Sequence, residues 1–381
     1  MRILHLMLSN FYIDNFNYQE NALPRQNMLD GHEVRIIAST EILKTPDALG
    51  YVAPSSYKNA DGIDVFRIPY RKILPHRAMK KIRAYPGVYA MIEEFNPDII
   101  FFHGASAYEI LTVARYKKRH PSVRLLVDNH VDRYNSALTF VSRELLHRRF
   151  YGPILRRALP HIDKILCISL DVMEFVHTMY KIPLAALEFY PLGGAVITPE
   201  ERKERGHKLR SELGMENDAI IMLHTGRMSA KKRTTELLDA FSLVPNPRFR
   251  LILIGSLRDD IKEDAERLIA ADRRILYLGW KKSCELSDFL CASDLYLQPG
   301  TQSATMQSAL CAGSPLLLYP YKSHEPYLKG NGFFVETRSD IIDAFQTVGR
   351  DPEILHRMAE ASHTVAKELL DYKMLAERMY R

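Results

Sequence analysis

Short apolar runs alternate with longer amphipathic ones along this chain, and the alternation starts twice. In the first half, Arg2–Leu8, Glu33–Ala38, Ile99–Phe102, Arg124–Val127 and Lys164–Ile168 read as buried strands. Helical stretches are predicted over Asn21–Leu29, 85–95, 107–118, 138–158 and 170–179. Pro191-Leu192-Gly193-Gly194 breaks the pattern, and the charged stretch Pro199–Glu216 reads as a linker with a short helix. The pattern then restarts, with strands at Ile220–Leu223, Phe249–Ile254, Ile275–Leu278, Leu295–Gln298 and Pro315–Tyr319. Helices are expected between them, at Thr234–Ser242, Lys262–Ala271, Ser283–Ala292 and Thr305–Ala312, and two more at about 339–349 and 352–380. Apolar strands joined by helical crossovers form parallel sheets covered on both faces. The class is therefore α/β, with two doubly wound Rossmann-like domains. Ligands are expected beyond the carboxyl ends of their strands.

The length of 381 residues agrees with two domains, and 46% apolar residues with 26% charged is ordinary for a folded soluble chain. No uncharged apolar run approaches the roughly 18–20 residues of a membrane span. The opening Met1–Leu8 reads as a strand rather than a signal peptide. Cys167, Cys284, Cys291 and Cys311 lie in segments that look buried and lack CxxC spacing; all four read as reduced core thiols of a cytoplasmic chain.

Charge is uneven. Residues 1–195 carry 25 Lys+Arg against 19 Asp+Glu, whereas residues 196–381 carry 27 of each. The excess concentrates in Arg67, Arg71, Lys72, Arg77, Lys80, Lys81 and Arg83, a segment without acidic residues. A second cluster, Arg143, Arg148, Arg149, Arg156 and Arg157, has only Glu144 among it. Each cluster alone reads as a solvated helix face. Two of them, interleaved with Ile73, Leu74, Met79, Leu145, Leu146 and Phe150, point to an anionic membrane surface and a peripheral protein. Nucleic acid is not expected, because zinc-finger and RNA-recognition signatures are absent.

Three polar constellations follow strands. His224-Thr225-Gly226-Arg227 with Lys231, Lys232 and Arg233 is read as a turn opening a helix, where backbone N–H groups and cations suit a diphosphate better than a plain surface turn. It lacks Walker A spacing. Gly300-Thr301-Gln302-Ser303 through Gln307-Ser308 offers neutral donors and acceptors suited to sugar hydroxyls or phosphate. Capping explains one of its hydroxyls, not the whole run. Asp128-Asn129-His130 follows the strand 124–127, and His103 follows Ile99–Phe102; each is a site edge or a turn with a satisfied histidine. No motif for a catalytic metal or a serine nucleophile is present.

Gly226-Arg227 with Lys231-Lys232 and Leu238-Asp239-Ala240-Phe241 resembles the "GR…K…LL-AF" block of retaining GT-B glycosyltransferases of family 4, the group 1 glycosyltransferases. Gly31-His32-Glu33-Val34, Pro97-Asp98-Ile99-Ile100 with His103, Leu253-Ile254-Gly255, Ala292-Ser293-Asp294 and Asn331-Gly332 fall in the family's order. The resemblance covers most of the chain. It implies a GT-B fold: two facing Rossmann-like domains, an acceptor domain over 1–195 and a nucleotide-sugar domain over 196–364, with a C-terminal helix, about 365–381, crossing back to the first.

Carried over by position, the resemblance makes His130, Arg227 and Lys232 the catalytic candidates, with His130 near the transferred sugar. Gly226, Arg227, Lys232, Gly300, Thr301, Gln302, Ser303, Ser308 and Glu325 would bind the donor. Asn17, Gln19, Glu20, His103 and Asp128 would lie on the acceptor side. The chain departs from the family at the donor loop. Neither of its two glutamates seven residues apart is present, leaving Thr301, Gln302, Ser303 and Ser308 as neutral groups in their place. The first loop also lacks the family's glycine pair. The expected activity is transfer of a sugar from a nucleoside-diphosphate sugar, as co-substrate, to a hydroxyl of a glycan or lipid-linked glycan. Retention of configuration is expected, with no metal or other cofactor. The alternative is an inactive GT-B subunit that binds nucleotide or glycan and supports a partner enzyme.

Overall fold

The computed structural model describes the chain apart from residues 10, 17, 46 and 47 and the side chains of Thr45 and Ser283. It divides into two compact units, Met1–Leu192 with Leu375–Arg381, and Gly193–Met374. The strands of the first are β1 (Arg2–Met7), β2 (Glu33–Ser39), β3 (Glu41–Thr45), β4 (Ala48–Tyr51), β5 (Ser55–Lys58), β6 (Asp64–Ile68), β7 (Ile99–Phe102), β8 (Arg124–Asn129), β9 (Lys164–Cys167) and β10 (Leu187–Phe189). Among the described residues, eight of them make one sheet in the order β10-β9-β8-β7-β1-β2-β6-β5, and β3 and β4 pair separately. All pairs in the large sheet are parallel except the edge strand β5, which runs antiparallel to β6.

Alternation along β1 shows how the sheet is covered. Leu4 and Leu6 enter a large apolar cluster with Ile100, Phe102, Leu125, Val127 and helix residues such as Ile110 and Val113. Met7 joins Tyr12, Ile36, Ala38 and Val65 in a second cluster. His5, out of phase with the leucines, is fully buried and bonds Asn27 of the helix Gln19–Leu29. A polar residue on an otherwise apolar central strand is costly to bury without partners.

The second unit has β11 (Ile220–Met228), β12 (Phe249–Leu257), β13 (Ile275–Tyr277), β14 (Leu295–Gln298), β15 (Leu316–Leu318) and β16 (Gly332–Phe334). They form one all-parallel sheet among the described residues, ordered β13-β12-β11-β14-β15-β16. Its core joins Met222, Leu251, Leu253, Leu295 and Leu297 to Leu237, Phe241, Ile341 and Phe345 of the flanking helices.

The architecture is α/β and Rossmann-like in both units. Several local expectations are corrected. The stretch 138–158 is not one α-helix. Val141–Tyr151 winds as a π-helix, the Gly152 N–H reaching back five residues to His147 O, and an α-helix follows over Gly152–Ala158. Cys284 is not a core thiol; it is exposed near the start of the helix Ser283–Ala292, while Cys167, Cys291 and Cys311 are buried and all four are free. Arg67 is not part of a basic surface. It is 4% exposed, donates to Tyr12 O and Ser39 O, and pairs with Asp14 at 3.1 Å. Lys80 pairs with Glu41 at 3.3 Å. Among the described residues no helix is long and apolar enough to cross a membrane.

Candidate functional site

Each unit carries a polar centre at the carboxyl ends of its strands. In the second unit, the strand expected to stop at Leu223 continues to Met228. His224, Thr225, Gly226 and Arg227 therefore lie in β11 rather than in a turn. Parallel pairing with β12 sustains it, through Gly226 opposite Gly255. A Cβ on Gly255 would stand 1.9 Å from Gly226 O, so the strand ends approach more closely than a side chain allows. The turn comes later, as the 3₁₀ stretch Ala230–Lys232. Arg233, in the left-handed region at φ 55°, then leads into the helix Thr234–Ser242.

The donor-loop candidates sit on that turn. Thr301 N–H donates to Lys231 O at 3.1 Å, and Arg233 Nη1 donates to Pro299 O at 3.2 Å. A Cβ at Gly300 would lie 2.5 Å from Lys231 O and 2.6 Å from Lys232 Cα, so glycine is what lets the two loops touch. Lys232 folds inward, with Nζ 3.5 Å from Thr225 O, and a Cβ on Gly226 would be 3.2 Å from that ammonium. Burial lowers the Lys232 ammonium to about 8, because the charged form loses water. Arg227 is exposed at the end of β11. Arg233 is committed to structure, pairing with Glu236 and lying over the Tyr319 ring.

Neutral groups support this cradle from below. His224 donates from Nδ1 to Leu297 O at 2.8 Å, which leaves Nε2 to accept from Thr234 Oγ1 at 3.0 Å. Burial, and then the nearby Lys232 charge, hold His224 down at about 4, so it is neutral. Thr225 Oγ1 meets the buried Tyr296 hydroxyl at 3.0 Å, and burial pushes that phenol up to about 12. Ser303 Oγ accepts from Thr305 N–H at 3.4 Å, a local helix-start contact. Gln302 and Ser308 are exposed, and Glu325 is exposed on the 3₁₀ turn Lys322–Tyr327. The structure thus brings Gly226, Lys232, Gly300 and Thr301 together. Gln307 is turned away, its Oε1 accepting from Gly193 N–H at 3.2 Å.

In the first unit, β8 runs through Asn129, two residues beyond its expected end, so Asp128 is a strand residue. Asp128 is fully buried and accepts from Gly104 N–H at 2.5 Å and from His103 Nδ1 at 2.9 Å. His130 Nε2 lies 3.3 Å from Asp128 Oδ2, off the line of a hydrogen bond. Burial resists charge on His130, but the Asp128 carboxylate outweighs it and, with Glu20, raises the imidazole to about 9. Burial also works against the Asp128 charge, and His130 and His103 overcome it, holding the carboxyl well below its usual range. Gln19 is buried and donates to Pro191 O at 3.2 Å. Glu20, at the start of the same helix, is half-buried. Asn17 lies outside the described residues.

Sequence reasoning passed over His5, Asn27, Tyr380 and Tyr296. His5 and Tyr296 could have been found as polar interruptions of apolar strands. Asn27 and Tyr380 are helix residues distant in sequence, with no local signal.

Comparison with known proteins agrees with the two-unit α/β fold. The Glycosyl transferase 4-like domain family matches residues 26–193, and the Glycosyl transferases group 1 family matches residues 207–365. The chain is 23% identical over 377 residues to an alpha-monoglucosyldiacylglycerol synthase of Acholeplasma laidlawii, across 92% of this chain and 89% of that one. It is 24% identical over 274 residues to the synthase of the same name from Streptococcus pneumoniae, across 68% of this chain and 60% of that one. The crystal structure of Anabaena HepE in complex with UDP superposes with a TM-score of 0.66 at 17% identity, covering 100% of this chain and 98% of the other. The fold and the family matches define a transferase of the GT-B class. The chain belongs to the group 1 glycosyltransferases.

Proposed function

We propose that this chain transfers a hexose from a nucleoside-diphosphate sugar to a lipid-borne hydroxyl at the cytoplasmic face of an anionic membrane. The observation that carries the donor half is the end of β11 at Gly226 with the Ala230–Lys232 turn and Gly300 seated on it. It combines a half-buried ammonium, an exposed guanidinium at Arg227 and a backbone approach that only glycine permits. Charge grows on the leaving diphosphate in the transition state, and fixed cations stabilise it. Retention follows if the acceptor oxygen attacks the anomeric carbon on the face the diphosphate leaves. The anomeric C–O bond breaks as the new one forms, and the hydroxyl proton passes to a leaving phosphate oxygen. Arg227 and Lys232 supply the countercharge without a metal. His130 serves as the polar group facing the sugar. HepE is described in complex with UDP and with UDP-glucose, and the two synthases are named for a glucosyl diacylglycerol product; these relatives support uridine and diacylglycerol as first choices.

The membrane reading is supported by a surface of the first unit. The two basic–apolar clusters meet there: Lys81 shares a groove with Thr139, Val141, Ser142, Leu145 and Leu146, and Tyr151 Oη donates to Lys81 O at 2.5 Å. In the same two sequence segments Ile73, Leu74, Leu138 and Phe140 are at least half exposed, Phe140 by 66%. Lys72, Arg77 and Arg149 are exposed as well. Exposed aromatic and aliphatic side chains beside cations favour the headgroup boundary of an anionic bilayer.

The test is transfer from UDP-glucose to diacylglycerol in phosphatidylglycerol vesicles, with chelator present. Expected is an α-linked monoglucosyl lipid that forms undiminished in chelator. Binding of UDP-glucose without transfer to any lipid or glycan acceptor would overturn the reading.

A further inference from the structure

Six side chains of the first unit stand in one line of hydrogen bonds. Asp128 Oδ2 meets His103 Nδ1 at 2.9 Å, and His103 Nε2 meets His5 Nδ1 at 3.0 Å. His5 Nε2 meets Asn27 Oδ1 at 2.8 Å. Asn27 Nδ2 donates to Tyr380 Oη at 2.7 Å, and Tyr380 Oη donates to Asp30 Oδ2 at 2.7 Å. Asp128, His103, His5 and Asn27 are fully buried.

The protons on this line can be counted. Tyr380 has one hydroxyl proton, and the Asp30 carboxylate can only accept, so that proton points to Asp30. The Tyr380 oxygen then accepts from the Asn27 amide NH₂, which turns the amide carbonyl toward His5. A carbonyl only accepts, so His5 Nε2 carries a hydrogen. At the other end the Asp128 carboxylate requires a hydrogen on His103 Nδ1. The bond between the two rings requires a third. Two neutral imidazoles carry two hydrogens between them, and three are needed.

We infer that the His5–His103 pair holds one proton more than two neutral rings, as an imidazolium on His103 buried against Asp128, and that Tyr380 and Asn27 are the positioning residues that enforce it. The charge belongs on His103 because that ring touches the carboxylate. Burial, and then the neighbouring His103, hold His5 down at about 3, so His5 stays neutral with its hydrogen on Nε2. The other groups facing Asp128 do not compete. Burial pushes the Cys167 thiol of β9 and the Tyr190 phenol upward, and both remain uncharged. Phe101 stacks on His103 with ring centroids 4.4 Å apart. On the open side stands His130, with Glu20 adding negative charge nearby.

One carboxylate is shared by two imidazoles, and the far end of the line sets the division. Without the Tyr380 hydroxyl the Asn27 amide is free to rotate and donate to His5 Nε2. His5 then carries its hydrogen on Nδ1, both rings become neutral, and the Asp128 charge turns wholly to His130. The terminal segment Leu375–Arg381 thereby sets how strongly the site histidine is held charged. Only the activity arm of this inference rests on the proposed role of His130 toward the sugar.

The test uses the full chain with ¹⁵N-labelled histidine, without substrate, near neutral pH. Ring-nitrogen signals are assigned with His5→Gln and His103→Gln. Expected is a His103 with both nitrogens protonated and a His5 protonated on Nε2 alone. In Tyr380→Phe, His103 Nε2 should lose its hydrogen and the His5 hydrogen should move to Nδ1. Adding Asn27→Asp to that variant restores the three-hydrogen state, because a carboxylate can only accept. A wild-type His103 with one bare nitrogen overturns the inference, and that reading needs no variant to fold. Where transfer activity is measured, Tyr380→Phe in a Lys232→Arg background, which removes the lysine titration near 8, should move the alkaline limb of the turnover profile to higher pH. A limb that stays in place, with the ring signals changed as expected, overturns the link to His130 but leaves the donor assignment standing.

Discussion

The polar centres of the two units are built in opposite ways. In the second unit the cradle is made by backbone and by space. Gly255 and Gly300 allow approaches that any side chain would block, and a single half-buried lysine meets a carbonyl. In the first unit the centre is made by side chains bonded to side chains, with Asp128 taking Gly104 N–H and His103 and lying beside His130. The first arrangement sets a half-buried lysine beside glycine-lined backbone. The second satisfies its charges internally and is part of what holds the sheet together. Substitutions at the second-unit cradle should appear as lost binding or turnover, and substitution of Asp128 in the first unit as lost stability.

The largest expected effect tests the stability side. Asp128→Asn removes the carboxylate between two imidazoles, and breaking a buried ion pair costs about 3–5 kcal/mol. Denaturant unfolding should show that loss; unchanged stability would mean that the Asp128 contacts do not hold the sheet together. The Asp128 contribution has a pH signature too. Its folded value is depressed, so the stabilisation is present above the ordinary aspartate range near 3.9 and fades as pH falls below it.

Next comes Arg227→Ala. Removing one fixed charge at the leaving group should lower kcat by about 10²–10³-fold while leaving the thermal midpoint in place. A parallel fall in stability would erase the contrast between the units. Gly300→Ala follows. The added Cβ must push the loop away from Lys231 and Lys232, at a cost of about 1–3 kcal/mol by analogy with overpacking. The measurement is the dissociation constant for UDP, which should rise several-fold or more.

The smallest effect is pH dependence of UDP binding. Lys232 is lowered to about 8 in the folded chain, so its charge is present below that value and lost above it. Affinity for the diphosphate should fall as pH rises through 8, by up to about tenfold per unit. Lys232→Arg should flatten the curve. For folding the sign is reversed: a depressed lysine makes the folded state gain relative stability as pH rises from about 8 toward the ordinary lysine value near 10.4.

Much of the fold is legible in the sequence because parallel strands covered on both faces need continuous apolar runs. Leu295–Gln298 and Ile99–Phe102 have the expected bounds. Strand ends are less legible. Gly226 and Arg227 look like a turn by composition, yet the glycine pair lets β11 and β12 continue to Met228 and Leu257. The edge strand β5, Ser55–Lys58, is missed because a solvent-facing strand lacks an apolar run. The π-wound stretch 141–151 has the composition of an ordinary helix, and its buried His147 bonds Tyr180 at 2.7 Å, a partner 33 positions away that no local pattern signals. At the site, Gly226, Lys232 and Gly300 stand out because cations and glycines after strands have few other uses. Line partners such as Asn27 and Tyr380 meet across 353 positions, which no local pattern signals.

The measurement that tests the central contrast most directly is calorimetric titration of UDP into the wild-type chain, Arg227→Ala and Asp128→Asn. The wild type should bind, Arg227→Ala should bind with a dissociation constant at least tenfold weaker, and folded Asp128→Asn should change little. Equal affinity in the wild type and Arg227→Ala, or no binding by a folded wild-type chain, would contradict the contrast.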